Sequence, residues 1–166
     1  TAQRVLSKFK NGNLITGAET VKLNNKPAGD TKNYDQQANL YYGYFNAAIN
    51  IENSAKVQFY HKSKLVPGVE AMPFGDALSF LKPVFAQLGG ATGSYGSSKA
   101  PGVFYSQGGI GVAPVICYET LWGEWIARSV RKGAQLIAII TNDGWWENTP
   151  GKDRHFYYAK LRAIET

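Results

Sequence analysis

The sequence predicts an α/β layered sandwich, and three observations carry that expectation. Short runs rich in β-branched and aromatic residues recur between Gly, Pro, Asn and Asp clusters, as strands do. Three longer stretches place apolar residues at helical spacing. The two kinds alternate along the chain in the order strands, helix, strands, helix, strand, helix.

Residues 14–20 are apolar-rich and short, and read as the first strand. Residues 22–34 carry Asn24, Asn25, Pro27, Gly29 and Asp30, which predicts a loop or a long hairpin tip. Residues 41–51 are rich in Tyr, Phe and Ile and read as a strand. A turn over 52–55 leads to a returning strand over 56–61. Pro67, Gly68 and Pro73 make residues 65–74 a loop.

Asp76 can cap a helix reaching about Leu88, with Pro83 kinking or shortening it. Residues 89–98 are Gly- and Ser-rich and read as a mobile loop. Residues 102–105 and 110–118 form a strand pair turning at Gly108 and Gly109. The second of these is apolar throughout, which predicts burial on both faces. Leu121, Trp122, Trp125, Ile126 and Val130 mark one face of a helix over 121–132, with Gly133 as its C′ residue. Residues 135–141 read as the clearest buried strand, 142–151 as a loop and 153–164 as a last helix.

Composition bounds the function. The chain has 166 residues, about one domain, with 44% apolar and 18% charged residues, which is globular and not disordered. A single cysteine, Cys117, rules out an intrachain disulfide framework and a Cys-based zinc site. No run reaches the ~18 apolar residues of a membrane-spanning helix. The start shows no signal peptide and no initiator Met, so the chain reads as a segment of something longer. Its net charge of +6 is scattered, with Lys56, Lys62 and Lys64 the nearest approach to a cluster. Nucleic-acid binding needs a denser stripe. Mild attraction to an anionic membrane surface fits the charge equally well.

Cys117 ends an apolar strand and precedes Tyr118 and Glu119. Side chains at such an end emerge into a crevice, where backbone N–H groups and a nearby cation can activate a thiol. The bland alternative is a small buried hydrophobe. Lys62, just beyond the strand over 56–61, is either a stabiliser of negative charge or a solvated lysine. Glu70 and Glu119, each taken alone, read as surface carboxylates. His61 and His155 are too few and too far apart in sequence for a metal site or a Cys–His pair. Trp145 and Trp146 follow Asn142-Asp143-Gly144. They suggest a binding wall, a lid or a membrane-interface contact, against ordinary turn chemistry.

Four segments together carry a resemblance. Tyr60-His61-Lys62-Ser63-Lys64-Leu65-Val66-Pro67-Gly68-Val69-Glu70 resembles the lysine motif of the nitrilase (carbon–nitrogen hydrolase) superfamily. Its Leu-Val-Pro-x-x-Glu continuation resembles the apolipoprotein N-acyltransferase branch. Val115-Ile116-Cys117-Tyr118-Glu119 looks like that branch's nucleophile strand and elbow. Thr141-Asn142-Asp143-Gly144-Trp145-Trp146 looks like its loop after the next strand, and Tyr158-Ala159-Lys160-Leu161-Arg162-Ala163-Ile164-Glu165 like the helix that follows. The four span residues 60–165, about two-thirds of the chain.

The resemblance implies a four-layer α-β-β-α sandwich, incomplete at both ends, forming one partial domain over residues 1–166. It implies a Glu-Lys-Cys triad with Cys117 as nucleophile and Lys62 as stabiliser of the tetrahedral intermediate. Glu70 and Glu119 are then supporting acids, and the Tyr118 N–H is an oxyanion donor. The family's general-base Glu lies upstream of the first matched strand; Glu19 is not assigned that role. The isolated chain is therefore expected to be inactive. The implied partners are a phospholipid acyl donor and a diacylglyceryl lipoprotein acceptor, with membrane association through the parent protein and no nucleic acid. No cofactor and no metal are implied. The implied location is a bacterial inner membrane, with the catalytic domain facing the periplasm. The rival readings are a soluble nitrilase-type amidase and a non-catalytic fragment.

Overall fold

The computed structural model describes residues 2–9, 11–71 and 95–166. The helix expected over 76–88 lies outside the described residues, as does most of the loop expected over 89–98.

Two β-sheets face each other. The first is built around β3 (Leu40–Glu52), the long aromatic run. β1 (Asn13–Asn24) pairs with it antiparallel along its full length, from Asn13 opposite Glu52 to Asn24 opposite Tyr41. On the other edge of β3 lie β2 (Asn33–Asp35) and β4 (Val57–His61), both antiparallel. The second sheet has the order β5 (Phe104–Tyr105), β6 (Gly111–Ile116), β7 (Leu136–Ile140). β5 and β6 are antiparallel. β7 runs parallel to β6, as a connection through a helix requires.

The core sits between the sheets. Ala48 and Tyr60 from the first sheet meet Phe104 and Ile116 from the second, flanked by Ile15, Val112, Cys117 and Ile140. Gly17 lets β1 approach β7, because a Cβ there would stand 2.8 Å from Cγ2 of Ile140. A short helix, α1 (Ala2–Leu6), precedes β1. α2 (Gly123–Arg131) is the crossover from β6 to β7 and buries Ile126 and Ser129. It stops at Gly133, whose φ of +99° is the left-handed C′ conformation expected there. α3 (Gly151–Glu165) packs against α2 and against the 3₁₀ turn Cys117–Leu121 that follows β6.

The α/β expectation holds, and so does the strand–helix alternation from residue 102 onward, with four local corrections. β1 runs to Asn24, into the segment read as loop, because β3 is long enough to pair with all of it. β6 ends at Ile116, so Cys117 and Tyr118 belong to the 3₁₀ turn. α2 starts at Gly123, since that turn takes up residues through Leu121. β7 is a strand but not a buried one: Leu136 is 58% exposed and the rest half-buried. It is the edge of its sheet among the described residues. α1 and β2 have no counterpart in the sequence reading, β2 beginning inside the segment read as loop and pairing with the start of β3.

Candidate active site

The ends of β4 and β6 lie side by side, and the sequence explains why. Glu119, two residues past Cys117, is 1% exposed. Its Oε1 accepts from the Ser63 N–H (2.7 Å), the Lys64 N–H (3.2 Å) and the Tyr60 hydroxyl (2.7 Å). Its Oε2 accepts from the Ile116 N–H at 2.9 Å. One carboxylate thus laces the Lys62–Lys64 segment to the strand end that presents Cys117. Burial raises the Glu119 carboxyl above the ordinary carboxylate range, and the four donated hydrogen bonds pull it partly back. Burial and the neighbouring Glu119 charge also raise Tyr60 far above the usual phenol range. Trp125 Nε1 donates to the Tyr60 oxygen at 3.3 Å, tying α2 to the same cluster. The Lys64 ammonium covers the faces of Trp122 and Trp125, at 4.9 and 4.3 Å from the ring centroids.

Lys62 is 1% exposed, so the solvated-lysine reading is set aside. Its Nζ donates to both oxygens of Glu70, at 2.8 and 2.7 Å. Glu70 also accepts from Asn46 Nδ2 (2.6 Å) and the Val66 N–H (2.8 Å). Four donors fill the roughly four lone-pair sites of this carboxylate. Glu70 is therefore built as a clamp on Lys62 and not as an open base. An ammonium has three donors, and Glu70 takes two. The third has no partner among the described residues. A cation fixed at a buried point, with an N–H beyond the two that Glu70 takes, suits an oxyanion.

Glu70 and Glu119 thus correct their reading as surface carboxylates. Glu119 is held by the distant Ser63 and Lys64 N–H groups, and Glu70 by Lys62, Asn46 and the Val66 N–H. Glu19, left unassigned, is exposed on β1 and accepts from the Tyr95 hydroxyl at 2.7 Å.

Cys117 is half-buried and has φ of +48°, in the left-handed region. A non-glycine residue held there costs about 1–3 kcal/mol and persists only where its surroundings fix it. The fixing groups are visible. Thr120 Oγ1 donates to the Cys117 carbonyl at 2.9 Å, and His155 Nε2 stands 3.1 Å from the same oxygen. Asp143 Oδ1 holds the other ring nitrogen of His155 at 2.8 Å, and Thr141 Oγ1 donates to that carboxylate at 2.9 Å. His155, set aside by the sequence reading, thus reaches the elbow across 38 residues, through its backbone and not its thiol. His61 stacks against Phe45 at 4.4 Å between centroids. Burial, with Lys22 nearby, lowers its pKa.

The Trp pair belongs to a second region. Asn142 caps the 3₁₀ turn Asp143–Trp146 by accepting from the Gly144 N–H. Trp145 is 78% exposed and Trp146 half-exposed. With Thr149, Pro150 and Arg154 they line an open cleft of about 460 Å³. Neither Cys117 nor Lys62 lines that cleft; Asp143 and His155 connect the two places. Among the described residues no cluster of His, Cys, Asp and Glu could hold a metal, and no helix is long and apolar enough to cross a membrane.

Comparison with known proteins follows the same lines. The carbon–nitrogen hydrolase family model matches residues 25–166. Curated relatives include the apolipoprotein N-acyltransferases of Rhizobium meliloti, Allorhizobium ampelinum and Rickettsia prowazekii. The first is 33% identical over 141 residues, covering 83% of this chain and 26% of the relative. The second is 31% identical over 139 residues, covering 83% and 26%. The third is 30% identical over 155 residues, covering 93% and 28%. The chain thus spans about a quarter of the length of the curated relatives it matches. By its match over residues 25–166, the chain belongs to the carbon–nitrogen hydrolase family.

Proposed function

We propose that this chain is part of the catalytic domain of an enzyme that moves an acyl group from a phospholipid to the N-terminal cysteine amine of a lipoprotein. The complete domain would be a four-layer α-β-β-α sandwich, of which the two facing sheets are the inner layers. The observation that carries the reading is that Glu119 bridges two strand ends, one bearing the strained Cys117 and the other the buried Lys62–Glu70 pair.

In the proposed cycle, Cys117 gives its proton to the family's general-base Glu, for which no residue of this chain is assigned. Its sulfur attacks the acyl ester carbonyl. The Lys62 N–H that Glu70 does not take and the backbone N–H of Tyr118 hold the oxyanion. The ester C–O bond breaks, and the lysophospholipid leaves with the proton. A thioester remains on Cys117. The acceptor amine then attacks it, the C–S bond breaks and the thiol is restored. Sulfur suits this task because the acyl group must move on to an amine. Water must be kept out, or the thioester is lost to hydrolysis.

The exposed Trp145 and Trp146 are the proposed membrane-facing element, and the inner membrane with its outer face is the proposed location. A membrane interface favours amphipathic aromatic rings of this kind. No nucleic acid is invoked. The test uses the full-length protein, vesicles with a labelled acyl chain and a diacylglyceryl peptide. Labelled peptide from wild type and none from Cys117→Ala is expected. Release of labelled fatty acid with no labelled peptide contradicts transfer to the amine, and hydrolysis of a small amide with no vesicle turnover favours the amidase reading. No turnover by wild type favours the non-catalytic one.

A further inference from the structure

We propose that His155 is a positioning residue that aims the oxyanion donor, acting through the carbonyl of Cys117. This rests on the nucleophile reading of Cys117 given above.

The peptide unit between Cys117 and Tyr118 is a rigid plane. Its C=O and its N–H point in opposite directions. Whatever fixes the Cys117 oxygen therefore fixes the direction of the Tyr118 N–H. Two side chains reach that oxygen: Thr120 Oγ1 at 2.9 Å and His155 Nε2 at 3.1 Å. A carbonyl only accepts, so this contact is a hydrogen bond in the form of the ring that carries the proton on Nε2. Nε2 also lies 2.9 Å from Thr120 Oγ1, which closes a three-membered cluster behind the elbow. The ring cannot rotate out of this position freely, because Asp143 grips Nδ1 at 2.8 Å and Thr141 grips Asp143. His155 has only 10% of its side chain exposed. Cys117 holds φ of +48° against its own preference, so without these contacts the peptide plane is free to rotate toward a relaxed conformation. The N–H would then leave the place where charge develops. Asp143 also begins the turn carrying Trp145 and Trp146, so the loop and the oxyanion donor share one support.

The test compares two reactions of the same thiol in the full-length protein. With a p-nitrophenyl ester of a short fatty acid, the thiolate forms a C–S bond through a tetrahedral oxyanion and p-nitrophenolate leaves. With iodoacetamide, the thiolate displaces iodide and no oxyanion forms. Only the first needs the Tyr118 N–H. Losing one oxyanion donor typically costs about 10²–10³-fold, and a misaimed donor costs less. His155→Phe is therefore expected to slow acylation about 10–100-fold while alkylation stays within about twofold. His155→Gln, which keeps a donor near the position of Nε2, is expected to recover most of the acylation rate. Asp143→Ala is expected to fall between them.

Acylation at the wild-type rate in His155→Phe overturns the proposal. So does a parallel fall of acylation and alkylation in both His155→Phe and Asp143→Ala, which is the mark of a collapsed elbow. Acylation by Cys117→Ala at the wild-type rate overturns the nucleophile reading itself, and is distinct from either.

Discussion

Two regions of this molecule treat their side chains in opposite ways. At the ends of β4 and β6, charged groups are buried and the carboxylates of Glu70 and Glu119 are saturated. Lys62 and Glu119 are each 1% exposed, and both carboxylates accept four hydrogen bonds. Along the turn before α3 and on α3 itself, large apolar groups stand in the open, among them Trp145, Phe156, Tyr157 and Ile164. The first region lowers its energy by internal pairing and gains a fixed geometry. The second leaves apolar area to be covered by something outside the described residues. Fixed polar geometry suits chemistry, and open aromatic surface suits association. His155 and Asp143 lie where the two meet.

The strongest way to break the contrast is to remove a reacting group. Cys117→Ala is expected to reduce acyl transfer by about 10⁴-fold or more, because nucleophile losses in covalent enzymes are of that order. Lys62→Met comes next. It leaves Glu70 buried with half of its donors gone, and breaking a buried pair costs about 3–5 kcal/mol. A marked fall in the melting temperature is expected, together with loss of transfer. A melting temperature within one or two degrees of wild type would show that Glu70 finds another partner.

The second region should answer differently. Trp145→Ala with Trp146→Ala is expected to weaken vesicle binding and raise KM for phospholipid, while p-nitrophenyl ester acylation of Cys117 is unchanged. Unaltered vesicle binding and phospholipid turnover would remove the membrane-facing assignment. Equal losses in both assays would erase the division between the regions.

The smallest expected effect is a slope. Burial raises the folded-state Glu119 pKa above its ordinary value of 4.5. The folded protein then holds this proton to a higher pH than the unfolded chain. The contribution to stability is complete below 4.5 and is lost as pH rises through the folded value. Wild type measured against Glu119→Gln should lose relative stability from pH 4.5 upward. The opposite slope would mean that the four hydrogen bonds outweigh burial. Glu119→Gln itself is expected to destabilise by about 1–3 kcal/mol, since an amide NH₂ must face a backbone N–H.

Much of this arrangement was legible in the residues. β3 and β4 announce themselves by aromatic and β-branched content, and Gly133 marks the end of α2 because only glycine relaxes at that φ. Cys117 was found by its place at a strand end and by the motif around it. The partners were not legible. Glu119 is satisfied by N–H groups from Ser63 and Lys64, over 50 positions away, and a backbone donor leaves no mark in sequence. His155 fails the usual Cys–His test for the same reason: it grips the carbonyl of Cys117 and not the sulfur. β7 misled in the other direction. An apolar run records what a strand is able to bury, and Leu136 at the sheet edge is exposed all the same.

The central claim is that Cys117 carries the acyl group. The direct measurement is intact-protein mass spectrometry of the full-length protein after incubation with phospholipid vesicles and no acceptor. The predicted result is a gain of one acyl chain, mapped to Cys117, removed by neutral hydroxylamine and absent in Cys117→Ser. An acyl gain that survives in Cys117→Ser, or acceptor acylation by wild type with no acyl group on Cys117 at any time, would contradict it.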